Sequence, residues 1–278
     1  MIVVWQYVVD TPITINGAGK TMAPMFDLKD HVAIVTGGNG GIGLGMALGL
    51  ATCGANVVVV GRNADKNAHA LAALRAANPK SDPMAISADV TQEAECVALV
   101  AQTLKHYGRI DALVNNAGTN VRKAPQEYTV EEWRMLLEVN LTSAFLCSKA
   151  VYATMAKAKR GKIINIGSMT SIFGASFAAP YGASKGGIMQ LSQSLAVAWA
   201  RDNIQVNSIL PGWVDTDLTR QARKDVAGLH ERVEARTPAA RWGTPQDFAG
   251  IAVFLASSAS DFVTGISIPV DGGYSAQA

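Results

Sequence analysis

Val32-Ala33-Ile34-Val35-Thr36-Gly37-Gly38-Asn39-Gly40-Gly41-Ile42-Gly43 is a short apolar run that ends in clustered glycines and opens onto a longer apolar stretch. Residues 32–35 do not alternate with polar ones. A strand that reads this way is buried on both faces, which belongs to a parallel sheet covered by helices. Glycines directly after such a strand permit a tight turn and a close approach of backbone to a pyrophosphate. The helix start beyond them offers free N–H groups and the positive end of a dipole. The spacing Gly37-x3-Gly41-x-Gly43 is not the plain G-x-G-x-x-G. The strand before it and the helix after it nevertheless supply the context of a dinucleotide site.

Outward from this turn the same rhythm repeats. Asn56-Val57-Val58-Val59-Val60, Ala112-Leu113-Val114 and Lys162-Ile163-Ile164-Asn165-Ile166 are further unalternating strands, with more predicted at 84–87, 204–209 and 266–270. Helix-like segments fall near 42–53, 64–77, 92–107, 130–157 and 180–202. Strand alternating with helix predicts an α/β fold, a single Rossmann-type doubly wound parallel sheet with helices on both faces and ligands at the carboxyl ends of its strands. Leu210 to Trp242 is the one long stretch without a strand, and the candidate for a mobile substrate lid. Residues 1–24 contain Pro12, Gly17, Gly19 and Pro24 and read as a flexible appendage to a domain spanning 25–278; Met22 and Met25 are alternative starts.

Composition excludes several classes of function. With 278 residues, 49% hydrophobic and 17% charged, the chain can bury a full core as one large domain. A formal charge of +2 with scattered Lys and Arg leaves no basic stripe for nucleic acid. No apolar run reaches the length of a membrane span, and the apolar start lacks the basic region of a signal peptide, so the expected location is cytoplasmic. Cys53, Cys96 and Cys147 have neither CxxC spacing nor His-rich neighbours, which favours buried thiols over disulfides or a metal site.

Tyr181 and Lys185, in Pro180-Tyr181-Gly182-Ala183-Ser184-Lys185, stand one helical turn apart and share a face. A free phenol titrates near pH 10, and an ammonium a few Å away favours the phenolate. This pairing predicts a lowered phenol pKa and a general acid/base that works near neutral pH.

The ordered motifs together resemble the short-chain dehydrogenase/reductase family from about Phe26 to the C-terminus. The T-G-x3-G-x-G turn, Asn115-Asn116-Ala117-Gly118, Pro211-Gly212 with Thr216, and Val270-Asp271-Gly272-Gly273 all match. Asn140, Ser168, Tyr181 and Lys185 fall in order where the family keeps its catalytic tetrad. The resemblance implies that Tyr181 exchanges a proton with an alcohol or carbonyl oxygen and that Ser168 hydrogen-bonds that oxygen. Lys185 lowers the phenol pKa and binds the nicotinamide ribose, and Asn140 holds a water in a proton relay. It implies cofactor contacts from Gly37, Asn39, Gly41, Ile42, Gly43, Arg62, Asp89, Val90, Asn116, Tyr181, Lys185, Val214 and Thr216. Asp89 has a competing reading as a helix N-cap, which Thr91 could equally supply.

The second strand ends Val60-Gly61-Arg62. NAD enzymes place a carboxylate there, which repels a 2′-phosphate. Gly61 removes that carboxylate and Arg62 can pair with a phosphate, so NADP is expected over NAD. Beyond the Asn-Asn-Ala-Gly turn stand Arg122 and Lys123. Two basic residues here, with Thr237-Pro238-Ala239-Ala240-Arg241-Trp242-Gly243, resemble the gluconate 5-dehydrogenase and deoxygluconate dehydrogenase branch, so a sugar-acid carboxylate is expected on Arg122. The alternative within the family is a 3-oxoacyl-carrier-protein reductase, whose interface arginines are replaced here by apolar Leu146 and Val197. A non-catalytic dinucleotide sensor on the same fold would have lost Tyr181 or Lys185. The family's usual homotetramer is the expected assembly.

Overall fold

The computed structural model describes residues 25–277; the expected appendage at 1–24 lies outside them. Seven strands form one sheet: β1 Val32–Thr36, β2 Asn56–Val60, β3 Met84–Ile86, β4 Ala112–Asn115, β5 Gly161–Ile166, β6 Ile204–Pro211 and β7 Ser267–Val270. Their order is β3-β2-β1-β4-β5-β6-β7, and every pairing is parallel. The helices are α1 Gly41–Thr52, α2 Ala64–Ala77, α3 Glu93–Tyr107, α4 Val130–Leu137, α5 Ser143–Ala158, α6 Ala179–Trp199, α7 Asp217–Asp225, α8 Leu229–Arg236 and α9 Ala249–Ala256.

The unalternating strands are indeed two-faced. Ala33, Val35, Val57 and Val59 pack into one apolar cluster with residues of α1 and α9. Val32, Ile34, Val58 and Val60 pack into another with α3 and α5. Adjacent residues of one strand therefore feed opposite layers, as the pleat requires. The strand order reverses between β1 and β4. Thr36 is in register with Val60 on one side and Asn115 on the other, so all three carboxyl ends open onto one crevice.

Local chemistry sets the helix ends. Asn63 caps α2 by accepting from the Lys66 amide at 2.9 Å, and Thr129 with Glu132 forms a reciprocal capping box on α4. Gly108, at φ +74°, ends α3.

One expectation changes. The helix expected over 130–157 is α4 and α5 joined by a π-helical turn at Glu138–Thr142. Asn140 sits in that turn, 1% exposed, and its amide is tied outward to Thr119 and Ser184, in keeping with the functional placement of such turns. The strandless stretch after β6 is built as α7 and α8, packed through Ala222, Leu229, Val233 and Trp242. Cys96 and Cys147 are buried free thiols with sulfurs 3.6 Å apart between α3 and α5, while Cys53 is half-buried.

Candidate active site

The glycine turn forms the floor of the crevice. Gly37 and Gly41 sit at φ +61° and +50°, where a side chain is strained. A Cβ on Gly43 would overlap the Gly37 carbonyl and the Asn116 amide. The Asn116 Nδ2 donates to the carbonyls of Thr36 and Gly37, each at 3.1 Å, and the Thr36 hydroxyl accepts from the Asn116 and Ala117 amides at 3.0 Å. Asn116 thus holds the turn in shape with its side chain already committed. These residues fit a dinucleotide: the turn approaches as bare backbone, at the start of α1. A space of about 130 Å³ beside it is lined by Ile42, Asn116, Ser168, Tyr181, Lys185, Val214 and Thr216.

Ser168 follows β5, and Tyr181 and Lys185 project from the first turns of α6. Buried amides fix these elements. Asn115 donates to Asn165 at 2.8 Å and to Ser148 at 3.0 Å, and Asn165 donates to Ser192 at 2.9 Å, joining β4 and β5 to α5 and α6. The Ser168 Oγ accepts from the Thr170 amide at 3.1 Å, while Asn140 brackets Thr119 by accepting from its N–H and donating to its C=O. The four tetrad positions therefore converge, with Asn140 behind the other three.

Their electrostatics depart from the expectation. The Lys185 Nζ lies 5.7 Å from the Tyr181 ring centroid and donates to the Ile166 carbonyl at 2.7 Å. Burial lowers its pKa to about 8. The Tyr181 phenol is raised above its ordinary value, not lowered: desolvation dominates, and the Ser168 hydroxyl and the Arg122 charge oppose it only in part. Lys185, titrating at about 8, gives up its charge before a phenol raised above its ordinary value ionises, so in this state Tyr181 is a protonated donor.

At the end of β2, a Cβ on Gly61 would overlap the Asn39 amide. Asn39 donates to the Asn67 Oδ1 at 2.7 Å, and Asn67 donates to the Gly61 carbonyl at 2.7 Å. An amide network thus fills the place of an acidic side chain. Asn67 gave no signal in the sequence, lying on α2 as an ordinary polar residue. The Arg62 side chain, 77% exposed, stands 3.6 Å from Asp89. Asp89 caps no helix; its carboxylate accepts from the Thr91 amide at 3.0 Å and hydroxyl at 2.8 Å, which lowers its pKa. The Val90 side chain is buried in the apolar cluster that α3 and α5 share with the sheet.

A second, larger cavity of about 390 Å³ adjoins the tetrad. Its lining includes Asn120, Arg122, Ser168, Thr170, Tyr181 and Trp213, and it extends along α8. Arg122 lies in it, its side chain 10% exposed, donating to the Leu218 carbonyl at 3.2 Å with Asp225 at 3.6 Å. Lys123 does not reach the cavity: its amine pairs with Glu132 on α4 at 2.5 Å. The Asn120 Oδ1 and Thr170 Oγ are buried without a partner among the described residues. Neither falls in a motif, so neither carries a signal in the sequence.

A family model described as enoyl-(acyl carrier protein) reductase matches residues 37–275. The chain is 41% identical over 250 residues to the 2-dehydro-3-deoxy-D-gluconate 5-dehydrogenase of Formosa agariphila, covering 90% of this chain and 94% of that one. The chain is a member of the short-chain dehydrogenase/reductase family. It is equally 41% identical over 252 residues to the 5-keto-D-gluconate 5-reductase of Escherichia coli, covering 91% of this chain and 98% of that protein. A solved gluconate 5-dehydrogenase from Burkholderia cenocepacia, in complex with NADP and tartrate, superposes with a TM-score of 0.85 at 38% identity, over 91% of this chain and 98% of that chain. Membership of this short-chain dehydrogenase/reductase family accounts for the common place of the glycine turn, Ser168, Tyr181 and Lys185 on one crevice. The family model's own description concerns acyl-carrier substrates, whereas the names of the Formosa and Escherichia relatives specify keto sugar acids.

Proposed function

We propose that this protein is an NADP(H)-dependent oxidoreductase that interconverts a secondary alcohol and a ketone of a gluconate-type sugar acid. The observation that carries the reading is Arg122, standing in the same cavity as Ser168 and Tyr181. A guanidinium offers a carboxylate paired N–H donors, and a substrate held there is presented to the phenol and the serine hydroxyl. Asn120 and Thr170 bring unpaired oxygens to the same wall, suited to sugar hydroxyls. Three relatives whose names specify gluconate-type acids support the substrate class.

NADP(H), bound on the glycine turn with Arg62 and Asn39 near its ribose phosphate, would supply or accept the hydride. The chain's own residues do the rest. Tyr181, neutral in its buried setting, gives its proton to the carbonyl oxygen during reduction and must take one during oxidation. Ser168 hydrogen-bonds that oxygen and sets its distance. Lys185, protonated below about pH 8, presents a cation beneath the phenol to the ribose hydroxyls. Asn140 positions the Thr119 backbone and the π turn, and the proton relay through a water is assigned to it. Gly37, Gly41, Ile42, Gly43, Asp89, Val214 and Thr216 complete the cofactor cradle; Asn116 and Val90 act by shaping it.

An acyl-carrier partner would meet Val197, which is 83% exposed on α6, where cationic side chains would serve an acidic helix. The assembly proposed is a homotetramer, with exposed Phe145 and Val197 on the long helices and Phe262 before β7 as its apolar contacts. Sedimentation at micromolar concentration tests it. No helix among the described residues is long and apolar enough to cross a membrane. The proposed location is the cytoplasm, which cell fractionation checks. The proposed division into residues 1–24 and a domain over 25–278 is tested by limited proteolysis. The central test is a panel of initial rates with NADPH and NADH on 5-ketogluconate, gluconate, deoxygluconates, acetoacetyl thioesters and neutral ketones. Faster turnover of acetoacetyl thioesters than of every sugar acid would overturn the assignment.

A further inference from the structure

The cavity that holds Arg122 carries two more arginines, Arg232 and Arg236, both from α8. They stand one helical turn apart, on the stripe that also brings Leu229 and Val233 to the cavity. Arginines elsewhere around this wall face aspartates: Arg122 faces Asp225, Arg220 and Arg223 face Asp215, and Arg241 faces Asp247. Arg232 and Arg236 make no ion pair among the described residues.

Instead, the Arg236 guanidinium carbon lies 4.4 Å from the Tyr274 ring centroid and 5.7 Å from that of Phe173. The two rings meet edge-on at 6.4 Å. Phe173 comes from the loop after β5 and Tyr274 from the turn after β7, so two distant segments bracket the cation that α8 presents. A guanidinium held over ring faces is fixed in place while its N–H edge stays free to donate. Like charges at i, i+4 on one helix repel, and nothing in the lining neutralises them, because the cavity wall contains no Asp or Glu. A wall built this way is complementary to an anion that the protein itself does not supply.

The geometry points to a second anion-binding position, formed by Arg232 and Arg236 on α8, that selects substrates carrying a second anionic group at a distance from the carboxylate on Arg122. The chemistry recognised is a carboxylate or phosphate on a polyhydroxylated acid. This deepens the proposed function and rests on it for the identity of the reaction, but not for the binding.

The test is equilibrium binding to the NADP-loaded protein, read by the fluorescence of Trp213 and Trp242 or by calorimetry. The probes are gluconate as the monoanion, glucarate as the dicarboxylate and 6-phosphogluconate as the phosphate. At least one dianion is expected to bind about tenfold or more tightly than gluconate, the scale of added charge-assisted hydrogen bonds. The dianion-to-gluconate ratio is expected to fall toward one in Arg232→Gln/Arg236→Gln, with far-ultraviolet circular dichroism confirming the fold. Arg236→Lys keeps the charge without the planar fork and should retain part of the ratio. Preference for glucarate alone assigns a carboxylate, and preference for 6-phosphogluconate alone assigns a phosphate. Equal binding of all three, or a ratio that survives the double substitution, overturns the proposal. Dianion selectivity in binding without turnover of any sugar acid would leave this site standing and defeat the proposed reaction.

Discussion

Lys185→Met offers a direct test of the electrostatics assigned to the buried pair. In the folded protein Lys185 titrates at about 8 instead of 10.5, with desolvation as the cause. That difference corresponds to about 3 kcal/mol of destabilisation of the folded state, present in full below about pH 8. Between the two values the unfolded chain still holds the proton that the folded chain has released. Folded stability attributable to this group therefore rises with pH through that window. Methionine cannot titrate, so the variant lacks the effect. It also leaves the Ile166 carbonyl without its donor, a cost of roughly 1–3 kcal/mol that does not depend on pH because the neutral amine donates as well.

The readout is the difference in unfolding free energy between native protein and variant, from urea titrations at pH 7 and pH 10. Protein concentration is held fixed, since an oligomer's stability depends on it. Other titrating groups cancel in the difference. Native protein should gain about 2–3 kcal/mol relative to Lys185→Met across that range. A difference that stays flat from pH 7 to pH 10 would mean that Lys185 is not held below its ordinary value, and the reasoning from burial would fail.

Other substitutions address the reaction itself. Tyr181→Phe should lower turnover by roughly 10² or more while changing cofactor affinity little. With the phenol held protonated, reduction should stay level through neutral pH while alcohol oxidation climbs as pH rises, and near-full activity in Tyr181→Phe would refute the role. Arg62→Ala should lower the kcat/KM for NADPH relative to NADH. Gly61→Asp should favour NADH only when paired with Asn39→Ala, which clears the overlapping amide, and native preference for NADH in initial rates would refute both statements. Arg122→Ala should raise the KM for a sugar acid by a factor equivalent to about 1.5–3 kcal/mol while sparing a neutral ketone. Equal effects on charged and neutral substrates would reduce Arg122 to a loop support.

Much of the fold was legible because its signals are local in the chain. Val32–Val35 and Asn56–Val60 lack alternation, and that alone implies burial on both faces and a parallel sheet. The glycine turn likewise announces itself by composition and by its place between strand and helix. The π turn at Glu138–Thr142 was not legible, because it depends on Asn140 meeting Thr119 and Ser184, residues remote in sequence. The same holds for Asn39, Gly61 and Asn67, which form one network only once β2 and α2 are placed. Arg236 reads as a solvated helix residue until Phe173 and Tyr274 arrive on either side of it.

Tyr181 and Lys185 show where local reading stops. Their spacing correctly places both in one crevice, but it carries no information about the direction of the Lys185 amine or the depth of burial. Burial disfavours whichever form is charged, so it pushes the two groups in opposite directions, the phenol up and the ammonium down. Both groups are thereby driven toward neutrality, whereas mutual attraction would have separated them into phenolate and ammonium. Desolvation decides the contest, and the Lys185 amine keeps its hydrogen bond to the Ile166 carbonyl in either charge state. A phenol left neutral is ready to donate, so reduction of a ketone requires no prior loss of its proton. Oxidation of the alcohol does require that loss, and the Ser168 hydroxyl and the Arg122 charge are the two influences present that favour it. A carboxylate seated on Arg122 would offset one of them, which would hold the phenol in its protonated form to higher pH.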